Sequence, residues 1–306
     1  MPSWSEVVND FSSQPEDQRS TWLFDEIIRH MRLISNRRNG RNVLLYASGF
    51  LQKVAVPSPY VGVSLEDMNG LMATLHGLDC SKGITLIVHT PGGDVTAADN
   101  LMSYLHSKFD EIETIVPAYA MSAGTMMVLG SDRVVMGRQS QLGPIDAQIF
   151  TGNRMVSAGA VLTQFESAKN SILNDEKAAA LWAPILQSMG PALEQEARYA
   201  LKFGERMVTG WLAKKMCASD RSPIERAEEI AKYFNTTDEH MLHSRRIDRD
   251  QARAQGLIVE DLEDDQDFQD EVLTLYHLTS IFFETSSSTK VWINQGGNAW
   301  VKHFNA

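Results

Sequence analysis

Between residues 42 and 136 the chain repeats one alternation, and this limits the fold more than any other feature. Residues 42–47, 84–88, 112–116 and 133–136 are short, mostly apolar runs of strand length. Helical spacing fills the gaps. One stretch covers 65–75 with Ser64 as its candidate cap. In the next, Ala97, Leu101, Tyr104, Leu105 and Phe109 share a face, and a small-residue helix then passes through Ala123, Met127 and Gly130. Strands that alternate with helices require crossover connections, hence a largely parallel sheet.

The flanks read differently. A helix is expected over the first forty residues, capped by Asp17, with Trp22, Ile27, His30, Met31 and Ile34 near one face and a basic end at Arg37, Arg38 and Arg41. Residues 156–213 read as long helices, broken at Asn174-Asp175 and Gly190-Pro191. Residues 222–234, 248–256 and 266–283 also look helical, with Ile258-Val259 at most a short strand. The tail, 286–306, has no assignable pattern. The boundaries drawn from these changes are a helical extension at 1–41, a core at 42–215 and a mostly helical region at 216–306.

Composition removes several function classes. A chain of 306 residues that is 43% apolar can bury a real core. Its net charge of −11 argues against general affinity for nucleic acid or anionic lipid, which both favour basic surfaces. Cys80 and Cys217 are isolated, outside any metal-ligand or disulfide spacing. No run of apolar residues has the length of a membrane span, and the N-terminus lacks the pattern of a signal peptide. The expectation is a cytoplasmic protein without a metal or other cofactor.

Two strand ends carry the chemistry. His89-Thr90-Pro91-Gly92-Gly93-Asp94 opens one helix, and Tyr119-Ala120-Met121-Ser122-Ala123-Gly124-Thr125 opens the next. In parallel sheets, sites form at the C-terminal ends of strands. A Gly pair there leaves backbone N–H groups bare, as an oxyanion requires, and a Ser among small residues can be reached by a carbonyl. Each element alone also fits a bland role: Pro91-Gly92-Gly93 as a turn, Ser122 as a helix N-cap, and Met121, Met126 and Met127 as core packing.

Taken in order, these motifs and Leu142-Gly143-Pro144-Ile145-Asp146-Ala147-Gln148 resemble the Clp protease/crotonase superfamily, and within it the serine dehydrogenase proteinase family, related to signal peptide peptidase A. The resemblance spans residues 40–260. It implies an α/β fold with a stacked ββα core, an N-terminal helix and helical C-terminal additions. It further implies a serine peptidase that acts on peptides or proteins and assembles as a homo-oligomer. Ser122 would be the nucleophile, the amides of Gly93 and Ala123 the oxyanion hole, and Gly92 the residue that shapes the turn.

The general base is open at this level. In the Clp protease a His follows the nucleophile at the start of a later strand. Here that region carries Asp146, and no His lies between residues 107 and 239. Relatives of signal peptide peptidase use a Lys, and Lys169 is placed for that role if Phe165, Ala168 and Ile172 desolvate it; Lys177 is a second choice. His243, in a segment that resembles the late His-containing segment of the serine dehydrogenase proteinases, is the rival, with Asp146 to orient it. His240 and His243 lack the pattern of a metal site. Two further readings stand beside the peptidase: an acyl-CoA thioester enzyme that uses the same paired amides without a nucleophile, and an inactive scaffold subunit that has lost its base.

Overall fold

The four apolar runs become strands of one sheet. In the computed structural model, which describes residues 3–152 and 154–304, the chain begins with α1 (Trp4–Ser13), α2 (Arg19–Arg37), β1 (Asn42–Ser48), α3 (Ser58–Val61), α4 (Asp67–Leu75), β2 (Ile84–His89) and α5 (Val95–Lys108). It continues through β3 (Ile112–Val116), β4 (Tyr119–Ala120), α6 (Ala123–Leu129), β5 (Arg133–Met136) and β6 (Gln141–Leu142). Next come β7 (Gln148–Phe150), β8 (Met155–Ser157), α7 (Ala158–Asn174), α8 (Ala178–Met189), α9 (Leu193–Lys214), α10 (Pro223–Asn235) and α11 (Thr237–His240). The last elements are α12 (Arg249–Ala254), β9 (Val259–Asp261), α13 (Gln266–Thr285), β10 (Ser288–Asn294) and β11 (Ala299–His303).

The result is a mixed α/β protein with a central, mostly parallel sheet and many helices. The sheet order is β11-β10-β1-β2-β3-β5-β9. The five strands from β1 to β9 run parallel, whereas β10 and β11 add an antiparallel edge. Strands β1, β2 and β3 are buried along their whole length, which explains their continuous apolar character. On one face α2 buries Leu23, Ile27, Ile28, Met31 and Ile34, in one cluster with Val43 and Leu45 of β1 and Val272, Leu275 and Leu278 of α13. Full burial of each such side chain contributes about 1.5–3 kcal/mol.

The chain divides into two compact units, Met1–Leu142 with Arg246–Ala306, and Gly143–Arg245. The second unit has its own small core, in which Ala158 and Val161 of α7 meet Leu193 and Ala197 of α9. This division differs from boundaries at 41 and 215, because the chain leaves the first unit after Leu142 and rejoins it at Arg246, a return that local periodicity does not register.

Other differences have local causes. Gln18, not Asp17, holds the N-cap position of α2, and no side chain caps it. Ser64 does not cap α4; instead the Asp67 carboxylate accepts the Ser64 backbone N–H at 2.7 Å. The tail is a hairpin on the main sheet rather than a helical addition. Its strand β10 is wholly buried yet carries Lys290, a charge that interrupts the apolar signal.

Candidate active site

The site is built from backbone first. Where β2 ends, Thr90 donates its N–H to the Tyr119 carbonyl (2.9 Å), and its own carbonyl accepts the Met121 N–H (3.1 Å). The segments that precede α5 and α6 are thereby laced together. Gly92 and Gly93 have φ of +97° and +151°, conformations that side-chain-bearing residues rarely adopt. Val63 flanks them, with its N–H donating to the Gly92 carbonyl (2.8 Å) and its carbonyl accepting from Asp94 (2.9 Å). The C=O and N–H of one peptide point in opposite directions. With the Gly92 oxygen turned toward Val63, the Gly93 N–H faces away from it. Gly93 is exposed, and among the described residues this N–H has no acceptor.

Ser122 stands immediately before α6 with φ 50° and ψ −114°. A non-glycine residue held in such a region costs on the order of 1–3 kcal/mol, and strain of this kind gathers at functional sites. Its hydroxyl makes no capping bond to α6, so the side chain is not acting as an N-cap. Ser122 is half-buried, and the N–H of Ala123, like that of Gly93, has no acceptor among the described residues. A Cβ on Gly92 would lie 2.7 Å from both the Met121 carbonyl oxygen and the Ser122 Cβ, and 3.2 Å from the Ala123 nitrogen. Only glycine lets the two loops approach this closely. A strained, uncapped hydroxyl beside bare amides is what acyl transfer asks of a nucleophile and its oxyanion donors.

Within the second unit, Asp146 and His243 form an acid–imidazole pair. His243 Nδ1 lies 2.7 Å from Asp146 Oδ1. The other carboxylate oxygen, Oδ2, accepts from Gln148 Nε2 (3.0 Å), Ser157 Oγ (3.0 Å) and Thr237 Oγ1 (3.4 Å). Burial alone would raise the Asp146 pKa; the bond and charge of His243, with the Ser157 and Thr237 hydroxyls, outweigh it and hold the carboxyl below its usual value. The Asp146 side chain is 2% exposed and that of His243 30%, so the acid is enclosed while the imidazole stays reachable. The type and order of these contacts match an oriented general base.

The other candidates have different surroundings. Lys169 projects from α7 with its side chain 63% exposed and pairs with Glu166 at 3.2 Å. Ala168 beside it is buried, but the ammonium itself is solvated, so the desolvation a lysine base needs is missing there. Lys177 is exposed at the start of α8. His240 is buried, its Nε2 2.7 Å from the Tyr233 carbonyl oxygen. His89 is buried among the rings of Phe50, Tyr119 and Tyr276. Met126 and Met127 are core residues, and Met121 is half-buried. Among the described residues no group of three or more His, Cys, Asp and Glu is arranged to hold a metal ion.

Ser157, Thr237 and Val63 escaped the sequence reading. The first two are ordinary polar residues in no recognisable spacing, Ser157 eleven and Thr237 ninety-one positions after Asp146, and Val63 acts through its backbone, which leaves no trace in residue type.

Among curated proteins, the chain is 32% identical over 123 residues to an uncharacterized protein of Methanocaldococcus jannaschii, a match that covers 40% of the chain and 43% of that protein. A second uncharacterized protein of the same organism is 28% identical over 123 residues, covering 40% of the chain and 42% of its own length. The chain thus spans less than half the length of the curated relatives it matches. The family model described as "ClpP-like SDH-type serine proteinase" matches residues 14–182, more than half of the chain, and includes both strand-end motifs and Asp146. The chain belongs to the ClpP-like SDH-type serine proteinases.

Proposed function

We propose that the protein is a serine peptidase with Ser122 as nucleophile, His243 as general base, Asp146 as the group that orients it, and the Gly93 and Ala123 amides as the oxyanion hole. The observation that carries the reading is the strained, uncapped Ser122 beside two N–H groups without acceptors. The Ser122 oxygen adds to the peptide carbonyl as its proton passes to His243 Nε2, and the amides take the negative charge. The C–N bond then breaks, His243 gives its proton to the leaving amine, and water repeats the sequence on the acyl-enzyme. Asp146 keeps the proton of His243 on Nδ1, so that Nε2 presents a lone pair.

A short extended segment follows several of the long strands, and these segments pair with each other: Thr90 with Ala120, β4 with β6, and Leu142 with Ile247. This supports a stacked ββα core. The exposed apolar residues of α7–α9 support self-association, and two free cysteines suit a cytoplasmic, reducing setting. The thioester alternative has no use for a strained Ser or for the His243–Asp146 pair, and that pair favours a chain with a base over a scaffold that has lost one. Hydrolysis of a casein or fluorogenic ester substrate tests the reading. It is expected in the unmodified protein and absent from a folded Ser122→Ala variant; equal turnover by that variant would overturn it.

A further inference from the structure

Lys290 is fully buried in β10, and its role is not explained by packing. Its ammonium has three N–H donors, and all three have acceptors: the Gly62 carbonyl at 2.9 Å, Ser64 Oγ at 2.8 Å and Asp67 Oδ2 at 2.9 Å. Asp67 Oδ2 also accepts the Ser64 N–H at 2.7 Å and the hydroxyl of buried Tyr46 at 3.3 Å. Residues 62–64, between α3 and α4, are thus held on both sides of Val63. Val63 is the residue whose backbone takes the Gly92 carbonyl and the Asp94 N–H. The fit is close, since a Cβ on Gly93 would fall within 2.3 Å of the Val63 oxygen.

We propose that Lys290 is a positioning residue for the oxyanion hole: by gripping Gly62 and Ser64 it fixes Val63, which sets the orientation of the Gly92–Gly93 peptide and so the direction of the Gly93 N–H. This rests on the reading of Gly93 as an oxyanion donor. A buried ion pair is a poor source of stability, because apolar residues of similar volume usually serve as well or better. A lysine here does what an apolar side chain cannot, namely hold a carbonyl, a hydroxyl and a carboxylate at fixed angles. Burial pushes the ammonium below its usual pKa, against the opposing pull of Asp67.

The test compares the unmodified protein with Lys290→Met and with Lys290→Met/Asp67→Asn, which removes both buried charges. Labelling of Ser122 by a fluorophosphonate ester reads the site, since the phosphonyl oxygen occupies the oxyanion hole as the O–P bond forms and fluoride leaves. The expected result is labelling about ten- to a hundredfold slower in both variants, with kcat on an ester lowered by a like factor and KM nearly unchanged. Thermal stability should fall in the single variant and recover in the double one while labelling stays slow. Should Lys290→Met fail to fold around an unpaired Asp67, the double variant decides. A folded double variant that labels at the unmodified rate overturns the positioning role alone. An unmodified protein that does not label at Ser122 overturns the nucleophile assignment and this proposal with it.

Discussion

Replacing Asp146 with Asn should leave the protein folded and almost inactive, and the arrangement of donors gives the reason. Three groups, Gln148 Nε2, Ser157 Oγ and Thr237 Oγ1, direct hydrogens at Oδ2, while Oδ1 faces His243 Nδ1. An asparagine has one acceptor oxygen, and the side with three donors claims it. Its NH2 group then faces His243, whose Nδ1 must become an acceptor, so the ring proton moves to Nε2. In the proposed mechanism this removes the lone pair that would deprotonate Ser122, and with it the anion that would stabilise the imidazolium. In the serine-protease triad this fault costs about four orders of magnitude, or about 5.4 kcal/mol of transition-state stabilisation. Stability should change far less, by about 1.5–3 kcal/mol, the ordinary value of one hydrogen bond to a charged group. The assay is the second-order rate of fluorophosphonate labelling, followed by intact mass, alongside thermal unfolding. A folded Asp146→Asn protein that labels within threefold of the unmodified rate would refute the argument.

Lys169→Ala should leave labelling unchanged and stability within about 0.5 kcal/mol, because the side chain is exposed and its one ion pair, with Glu166, is on the surface. A hundredfold loss would return the base role to lysine. Acid should weaken the fold through His89, whose pKa burial lowers to about 3, whereas the unfolded chain binds that proton near 6.5. Its contribution is complete above pH 6.5 and is lost as pH falls toward 3, so about 2 kcal/mol should go between pH 7 and pH 5. Chemical denaturation at the two pH values should show that loss, reduced in His89→Phe; an identical loss in the variant contradicts it. Self-association should appear by light scattering at micromolar concentration as a mass above 34.2 kDa, since α7–α9 leave Leu173, Leu181 and Tyr199 exposed. A mass of one chain would contradict it.

What the sequence reveals divides along a physical line. Buried parallel strands announce themselves because both faces are covered, so β1, β2, β3 and β5 stand where the apolar runs lie. The breaks at Asn174-Asp175 and Gly190-Pro191 likewise fall where α7 and α8 end. Pairings made across long stretches of chain are silent. Asp146 and His243 are visible as residue types, yet nothing local says that they touch, and Lys169, better placed by chain distance, is solvated. Lys290 misleads in the opposite way: a charge within β10 hides a buried strand, since its partner Asp67 lies in a distant helix. Backbone roles are the least legible, because the Val63 N–H and C=O act identically in any residue but proline.

The central claim is that Ser122 is the nucleophile. Its most direct test is to treat the full chain with a fluorophosphonate ester, measure intact mass, and locate the adduct by peptide mapping, with Ser122→Ala in parallel. The account predicts one adduct per chain, carried by the peptide that contains Met121-Ser122-Ala123, and none in the variant. An adduct on another residue, or equal labelling of the folded variant, would contradict it.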